Sequence, residues 1–268
     1  LAPTPTVEGS LLHSDPTGPV NLYEIRYYTL NSIRSSACAL SAALRKIISW
    51  HADDGAAEAR VIAHSMGGLV TRAYIQGLGT MDGTPEGADK FSFSSSEATN
   101  IASRRCPFES NIVGVMTLAT PHGGANPLLL VGGAGAAVKL ALILAGPGAV
   151  LVGAAGVALL AKPGVLELLP SSAFLRELNG ALPLRLTSGE PSYYAFGGTR
   201  DALVPERSAK ILPHLAPSIR EEARTYIRER ILAGLAHTAL AGTGIAAIDS
   251  RMHDVYDSVR DFAIGRLG

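Results

Sequence analysis

Apolar and polar positions follow two rhythms along the chain, and each rhythm predicts one kind of element. Strands are predicted where short apolar or aromatic runs occur, at residues 22–28, 60–63, 112–118, 192–196 and 226–232. Helices are predicted where apolar residues recur every three to four positions, at 37–50, 68–77 and 252–263. Because strands alternate with helices, the chain predicts an α/β fold with a mostly parallel sheet and helices on both faces.

Three segments depart from these rhythms. Residues 1–20 are rich in Pro, Gly, Ser and Thr, which predicts an irregular entry segment, and the polar stretch 80–109 predicts a loop-like excursion. From 128 to 161 the only charge is Lys139, so by length the segment could hold a membrane span. The Gly-Pro-Gly break at 146–148 and the lack of basic or aromatic anchors instead favour two apolar helical arms.

Composition excludes several classes of protein. Lys and Arg total 23 and Asp and Glu total 23, so the formal net charge is zero, and the densest basic group, at 220–230, is interleaved with glutamates. This pattern indicates a solvated face and excludes a nucleic-acid-binding surface. Hydrophobic residues make up 47% and charged residues 17% of the chain, which excludes intrinsic disorder and suits one large domain or two small ones.

The two cysteines and the first residue bear on the cellular compartment. Cys38 and Cys106 are too few for a disulfide scaffold or a structural zinc site. They allow one disulfide, although Cys38 is interpreted as a small buried side chain on a helix. The chain opens at Leu1 with no basic or apolar leader pattern in its first residues, so we expect that a leader has been removed or that the chain begins inside a longer parent. A secreted or cell-envelope location is favoured.

The sequence A-H-S-M-G-G at 63–68 lies between a predicted strand and a predicted helix. This context is typical of a nucleophile elbow, in which a sharp turn raises Ser65 above the strand ends and small residues must flank it at two positions' distance. Ala63 and Gly67 meet that need, although Ala63 departs from the usual glycine. The alternative is that Ser65 only caps the helix.

With two further stretches, the elbow resembles the α/β-hydrolase superfamily, and within it compact lipases and esterases with an A-H-S-M-G elbow. The similar stretches are 61–74, the T-L-A-T-P-H-G-G run at 117–124 and the loop at 197–205. The resemblance implies a single α/β-hydrolase domain over 1–268, with a cap or lid subdomain inserted at 125–175.

The resemblance also implies a catalytic triad. By position, Ser65 is the nucleophile, Asp201 is the acid that orients the histidine, and the backbone N–H of Met66 is the first oxyanion donor. The base should come last in chain order, which leaves two histidines. His237 follows the last predicted strand and is favoured over His253, which lies within the C-terminal helical pattern.

The other histidines receive structural interpretations. His64 is expected to lie buried against the elbow, and His122 to support a turn near the site. His13, His51 and His214 are expected to be solvated.

The implied activity is a serine ester hydrolase, a carboxylesterase or lipase that forms an acyl-enzyme with an apolar acyl chain. The substrate-binding residues are expected in the cap, at Leu128, Leu129, Leu130 and Val131, with transient contact to a lipid interface. No metal or organic cofactor is implied. Two alternatives stay open: an acyltransferase or thioesterase with the same triad, or a catalytically silent scaffold that binds a partner through its apolar cap.

One part that the resemblance implies has no counterpart in the sequence. In this superfamily a strand ending in a His-Gly loop lies between the strand at 22–28 and the elbow strand, and supplies the second oxyanion donor. Residues 1–20 contain no such pattern, since His13 is followed by Ser14. We expect an upstream segment or a second chain to complete the sheet; alternatively, residues 1–20 fill the position with an unrecognised strand.

Overall fold

Four parallel strands form the sheet that carries the candidate site. The computed structural model describes residues 7–12, 20–25, 27, 31–51, 58–80, 105–106, 108–125, 162–186, 192–233, 258–259 and 261–262. The strands are β1 (Val7–Leu12), β2 (Val20–Ile25), β3 (Ala59–His64), β4 (Ile112–Leu118), β5 (Tyr193–Gly198) and β6 (Ile227–Leu232). The sheet has the order β3-β4-β5-β6 and every neighbouring pair in it is parallel, which confirms the predicted α/β fold.

Helices follow the strands as the periodicity predicts. They are α1 (Ile33–Ser49), α2 (Met66–Ile75), α3 (Pro163–Glu167), α4 (Ala173–Gly180), α5 (Glu206–Ala209) and α6 (Pro217–Ala223), with a 3₁₀ turn at Leu212–His214. The described residues of 258–262 are also helical. Within the described ranges, every helix is too short or too polar to span a bilayer.

The sheet is apolar on both faces because neighbouring residues of each strand point to opposite sides. On one side, Val115 and Tyr193 pack in the cluster that α1, α2 and α4 cover. On the other side, Met116 and Tyr194 pack against Phe262 of the C-terminal helical residues. Helices therefore cover both faces of the sheet, as the sequence predicts.

The interpretation of residues 1–20 as irregular is wrong for 7–12. These residues form β1, which pairs antiparallel with β2 in a separate two-stranded sheet. Among the described residues neither β1 nor β2 pairs with β3, so the elbow strand lies at the edge of the four-stranded sheet. The residues 7–12 thus do not fill the position beside β3, and completion of the sheet by another segment stays a prediction.

The interpretation of Cys38 as a lone small side chain is also wrong. Cys38 of α1 is buried as expected, but it forms a disulfide with Cys106, with the two Cα atoms 5.4 Å apart. The Cys106 amide also donates to Gly79 O at 3.0 Å, and Thr80 forms an antiparallel bridge with Arg105. The polar excursion therefore starts and ends at neighbouring points, and both are tied to α1.

Candidate active site

The ends of the parallel strands lie level with one another at one edge of the sheet. His64 pairs in register with Leu118, Leu118 with Phe196, and Phe196 with Arg230. The residues that follow each strand therefore leave the sheet at the same edge. Ser65 comes directly after this row, at the end of β3. Asp201 comes five residues after Phe196, in the loop that follows β5, and β5 lies about 10 Å from β3 because neighbouring strands are about 4.8 Å apart.

Ser65 has a backbone conformation that L-residues rarely adopt. Its φ is 53° and its ψ is −129°, and its amide donates to Leu118 O at 2.9 Å. A non-glycine residue in such a conformation costs on the order of 1–3 kcal/mol and persists only where the surroundings impose it. The adjacent strand carries a second such residue, Ala119, with φ 48°. Strain of this kind concentrates at functional sites, and here it lies at the residue that the elbow pattern singles out.

The hydroxyl of Ser65 is not used to cap α2. Ser65 occupies the N-cap position, but its side chain accepts no hydrogen bond from the first turn. The residue is partly exposed, and its hydroxyl makes no hydrogen bond with any of the described residues. The alternative that Ser65 merely caps the helix is therefore wrong, and the hydroxyl is accessible for chemistry.

Small residues around Ser65 are required by close packing. A Cβ built on Gly68 would lie 2.2 Å from Thr120 Oγ1, a distance that no real side chain could occupy. A Cβ on Gly67 would meet Ala63 Cβ at 3.7 Å, an ordinary contact, and Tyr27 Oη at 3.3 Å. The Ala63 methyl would therefore not clash even with a Cβ at position 67, so alanine fits where the elbow pattern usually has glycine.

Asp201 is buried and held by the loop after β5. Its amide donates to Gly198 O at 3.2 Å, and its Oδ1 accepts from the Val204 amide at 2.8 Å. Only 6% of the residue is exposed. A carboxylate fixed by backbone contacts at the carboxyl end of a strand is suited to orient an imidazole that approaches the same edge.

His122 lies in a buried polar network behind the elbow. Its Nδ1 lies 3.2 Å from Arg72 Nη1, and its Nε2 lies 3.2 Å from Thr117 Oγ1. Because a guanidinium only donates, Nδ1 accepts and the proton resides on Nε2. Burial, with the nearby Arg72 and His214, lowers the pKa of His122 well below its usual 6.5. His122 is therefore neutral and structural, as its predicted support of a turn requires.

Arg72 joins this network to α4. Its Nη1 donates to Asn179 Oδ1 at 3.1 Å and its Nη2 to Leu178 O at 3.2 Å, while Asn179 Nδ2 donates to His122 O at 2.8 Å. Burial lowers the pKa of Arg72 to about 10, so it stays charged at neutral pH. The elbow helix, the loop after β4 and α4 are thereby fixed to one another.

His214 and His51 are not simply solvated. His214 Nε2 lies 2.8 Å from Arg207 O, its ring packs where a Gly123 Cβ would be, and burial lowers its pKa. His51 Nε2 lies 2.6 Å from Tyr23 Oη. Both residues are half-buried, because the loop after β4 and the strand β2 each cover part of one ring, so the prediction that they are solvated holds only in part. His64 is half-buried at the elbow rather than fully buried.

Several predicted site residues lie outside the described residues: the favoured base His237 and the cap residues Leu128, Leu129, Leu130 and Val131. The alternative base His253 and His13, which is expected to be solvated, also lie outside them. Their assignments stay predictions. Of the cap region at 125–175, the structure describes Ala125 and residues 162–175, and the Ala125 amide donates to Leu168 O at 2.8 Å. The two described flanks of that region thus contact each other.

Sequence reasoning missed Arg72 and Asn179, which hold the elbow helix in place. An arginine within an amphipathic helix normally indicates a solvated position, so the residue type alone does not mark the buried one. The sequence offers one clue: Arg72 comes three residues after the apolar Leu69 of α2, and residues three apart lie on the same face of a helix. Within the parts of the chain that the structure describes, no three metal-ligating side chains cluster.

Comparison with known proteins gives low-identity structural likenesses. No family model matches the chain, and no curated protein matches it. The mature form of a Bacillus licheniformis lipase, BlEst2, is similar at a TM-score of 0.47 and 16% identity, over 82% of this chain and 73% of the lipase. A carboxylesterase structure from the thaumarchaeon Nitrososphaera gargenis is similar at a TM-score of 0.40 and 14% identity, over 92% and 81%. These identities and TM-scores are too low to assign an activity to this chain.

Proposed function

We propose that this protein is a serine hydrolase of carboxylic esters, a carboxylesterase or lipase. The observation that carries the proposal is the state of Ser65: a strained serine at a strand-to-helix turn, with a hydroxyl that caps nothing. The N-terminus of α2 begins at the next residue, so the partial positive charge of the helix favours an anion there.

In the proposed reaction, Ser65 Oγ attacks the ester carbonyl carbon while its proton passes to an imidazole. The new C–O bond forms as the carbonyl π pair moves onto oxygen, and the Met66 amide donates to that oxyanion. When the intermediate collapses, the bond to the alcohol oxygen breaks and the imidazolium returns the proton to the departing alkoxide. Water then attacks the acyl-enzyme by the same sequence and releases the acid.

We assign the base to His237 and the orienting carboxylate to Asp201. Asp201 is buried and anchored at the correct edge of the sheet. His237 follows β6 by five residues, and β6 ends in register with β5 at that edge. His253 is the alternative, because it also lies after β6 in chain order.

The substrate is proposed to be an ester with an apolar acyl chain. The segment 128–161 is almost free of charge, and such a surface gains roughly 25 cal/mol per Å² when it is covered by an apolar group. Leu128, Leu129, Leu130 and Val131 are proposed to bind the chain. Replacing 128–161 by a Gly-Ser linker should reduce hydrolysis of long-chain esters more than of acetate esters, and equal losses would contradict this role.

The deciding experiment combines hydrolysis with labelling. The protein should hydrolyse p-nitrophenyl butyrate, and a fluorophosphonate should abolish activity and add its mass to the peptide that contains Ser65. Ser65→Ala should remove both activity and label. His237→Gln should lower kcat by at least about 10³-fold, with His253→Gln as the matched control at near wild-type rate. The reverse pattern would move the base to His253, and full activity of Ser65→Ala would overturn the proposal.

A further inference from the structure

The hydroxyl of Tyr27 lies against the turn that follows the nucleophile. A Cβ built on Gly67 would lie 3.3 Å from Tyr27 Oη. Gly67 comes directly after Met66, whose amide is the first oxyanion donor under the proposed function. The phenol therefore approaches the same turn from outside α2, by way of the segment after β2.

The hydroxyl is available to donate a hydrogen bond. Tyr27 is partly exposed, and among the described residues its Oη has no hydrogen-bond partner. The neighbouring Tyr23 differs, since its hydroxyl is 2.6 Å from His51 Nε2. Burial raises the pKa of Tyr27 above its usual 10.0, so the phenol keeps its proton throughout the pH range in which an esterase works.

The proposed chemistry at the elbow calls for a second donor beside the Met66 amide. An oxyanion of an acyl-transfer intermediate is usually bound by two donors, and loss of one lowers kcat by about 10²–10³-fold. Among the described residues, no strand pairs with the free edge of β3, where a loop could supply a second amide. Tyr27 brings an O–H donor that has no other partner among the described residues to within 3.3 Å of a Cβ built on Gly67, the residue after Met66.

We propose that Tyr27 is a catalytic residue whose hydroxyl supplies the second hydrogen bond to the oxyanion. This inference rests on the proposed function of Ser65. As Ser65 Oγ bonds to the carbonyl carbon and the π pair moves onto oxygen, that oxygen accepts from the Met66 N–H and the Tyr27 O–H. The phenol donates a hydrogen bond and keeps its proton, and both bonds weaken when the carbonyl re-forms.

The first test is Tyr27→Phe, with Tyr23→Phe as the matched control. Both changes remove one phenol oxygen from neighbouring positions of the same segment. Tyr27→Phe should lower kcat for p-nitrophenyl butyrate by about 10²-fold with KM within twofold, while Tyr23→Phe keeps kcat. Affinity for a trifluoromethyl ketone, which forms a tetrahedral oxyanion with the serine, should fall in parallel with kcat. An unchanged kcat and ketone affinity in Tyr27→Phe would overturn the proposal.

A second variant covers the case in which Tyr27→Phe folds poorly. Gly67→Ala places a methyl 3.3 Å from Tyr27 Oη and must displace the hydroxyl by a few tenths of an ångström. It should lower kcat by itself, yet add little in the Tyr27→Phe background, where no hydroxyl remains to be displaced. Additive losses would show that Gly67→Ala acts without Tyr27 and would contradict the proposal.

Failure of this inference is distinguishable from failure of the proposed function. Fluorophosphonate labelling of Ser65 and ester hydrolysis by the wild type test the function alone. If both succeed and Tyr27→Phe is as active as wild type, only the role of Tyr27 is overturned. If the wild type shows neither, the ester hydrolase proposal and the Tyr27 proposal fall together.

Discussion

Arg72 Nη1 and His122 Nδ1 lie 3.2 Å apart in the interior, and neither residue is exposed to solvent. The guanidinium can only donate, so the contact exists only while the imidazole is neutral. A proton on His122 would place two cations at hydrogen-bond distance in a medium of low dielectric constant. This pair therefore makes the fold sensitive to acid at a point away from the proposed chemistry.

The first prediction concerns stability against pH. His122 has a folded-state pKa well below 6.5, whereas in the unfolded chain the pKa is near 6.5. Below pH 6.5 the unfolded chain binds a proton that the folded chain does not, so the free energy of unfolding falls as pH falls. The slope from this residue is at most about 1.4 kcal/mol per pH unit.

Urea unfolding of the wild type and of His122→Gln between pH 5 and 7.5 measures this contribution. The glutamine amide oxygen can accept from Arg72 but does not titrate, so the variant should show a shallower slope. His214, whose pKa is also lowered, is present in both proteins and leaves a residual slope. Equal slopes in the two proteins would contradict the prediction.

The disulfide should account for a large part of the stability. Cys38 and Cys106 are 68 residues apart, and a cross-link of that span is worth about 4 kcal/mol on the chain-entropy account. Dithiothreitol should lower the free energy of unfolding of the wild type by about that amount. The Cys38→Ser/Cys106→Ser double variant should match the reduced wild type and should not respond to dithiothreitol. A response in the double variant would mean that the reductant acts elsewhere.

The strained backbone of Ser65 should lower the free energy of unfolding of the active protein. At φ 53° and ψ −129° glycine is unstrained but alanine is not. Both Ser65→Gly and Ser65→Ala remove the hydroxyl, so both should be inactive on esters. The glycine variant should nevertheless be more stable than the alanine variant by about 1–2 kcal/mol in chemical denaturation. Equal stabilities would show that the elbow relaxes when the hydroxyl is removed.

Packing behind the elbow predicts a contrast between two glycines. A Gly68→Ala methyl would lie within 2.2 Å of Thr120 and should reduce the free energy of unfolding by about 1–3 kcal/mol. Gly180, at the end of α4, has nothing within 4 Å of a built Cβ. Gly180→Ala should leave the stability unchanged or raise it by up to about 1 kcal/mol. Thermal unfolding of the two variants checks the prediction, and similar losses would refute it.

Local patterns specified the central strands well. The continuous apolar run at 112–118 predicted both ends of β4 correctly. A strand that is buried on both faces is apolar at nearly every position, so the apolar run and the strand have the same bounds. Helix α1 instead begins four residues before the predicted start, at Ile33. The hydroxyl of Ser32 accepts from the Arg34 amide there, and the distant Glu167 accepts from Ser32 and Ile33. A contact across 134 residues is not visible in a local pattern.

The features that the sequence did not reveal depend on contacts between distant segments. Strand β1 contains Glu8, Gly9 and Ser10, and it is a strand because β2 pairs with it rather than through its own propensity. The disulfide likewise depends on how closely α1 approaches the residue before β4. At the elbow the residue types were sufficient, since a serine between small residues at a strand-to-helix turn carries its own steric requirement.

The cross-link between α1 and Cys106 changes what a cut in the polar excursion would do. Cys38 precedes residues 81–104 and Cys106 follows them, so hydrolysis of any peptide bond within that segment yields two polypeptides that stay joined by one covalent bond. Ser65 would belong to the first polypeptide, and Asp201 and His237 to the second. A nicked preparation would migrate as one band without reductant and as two with it. The proposed nucleophile would lie on one polypeptide, and the proposed acid and base on the other.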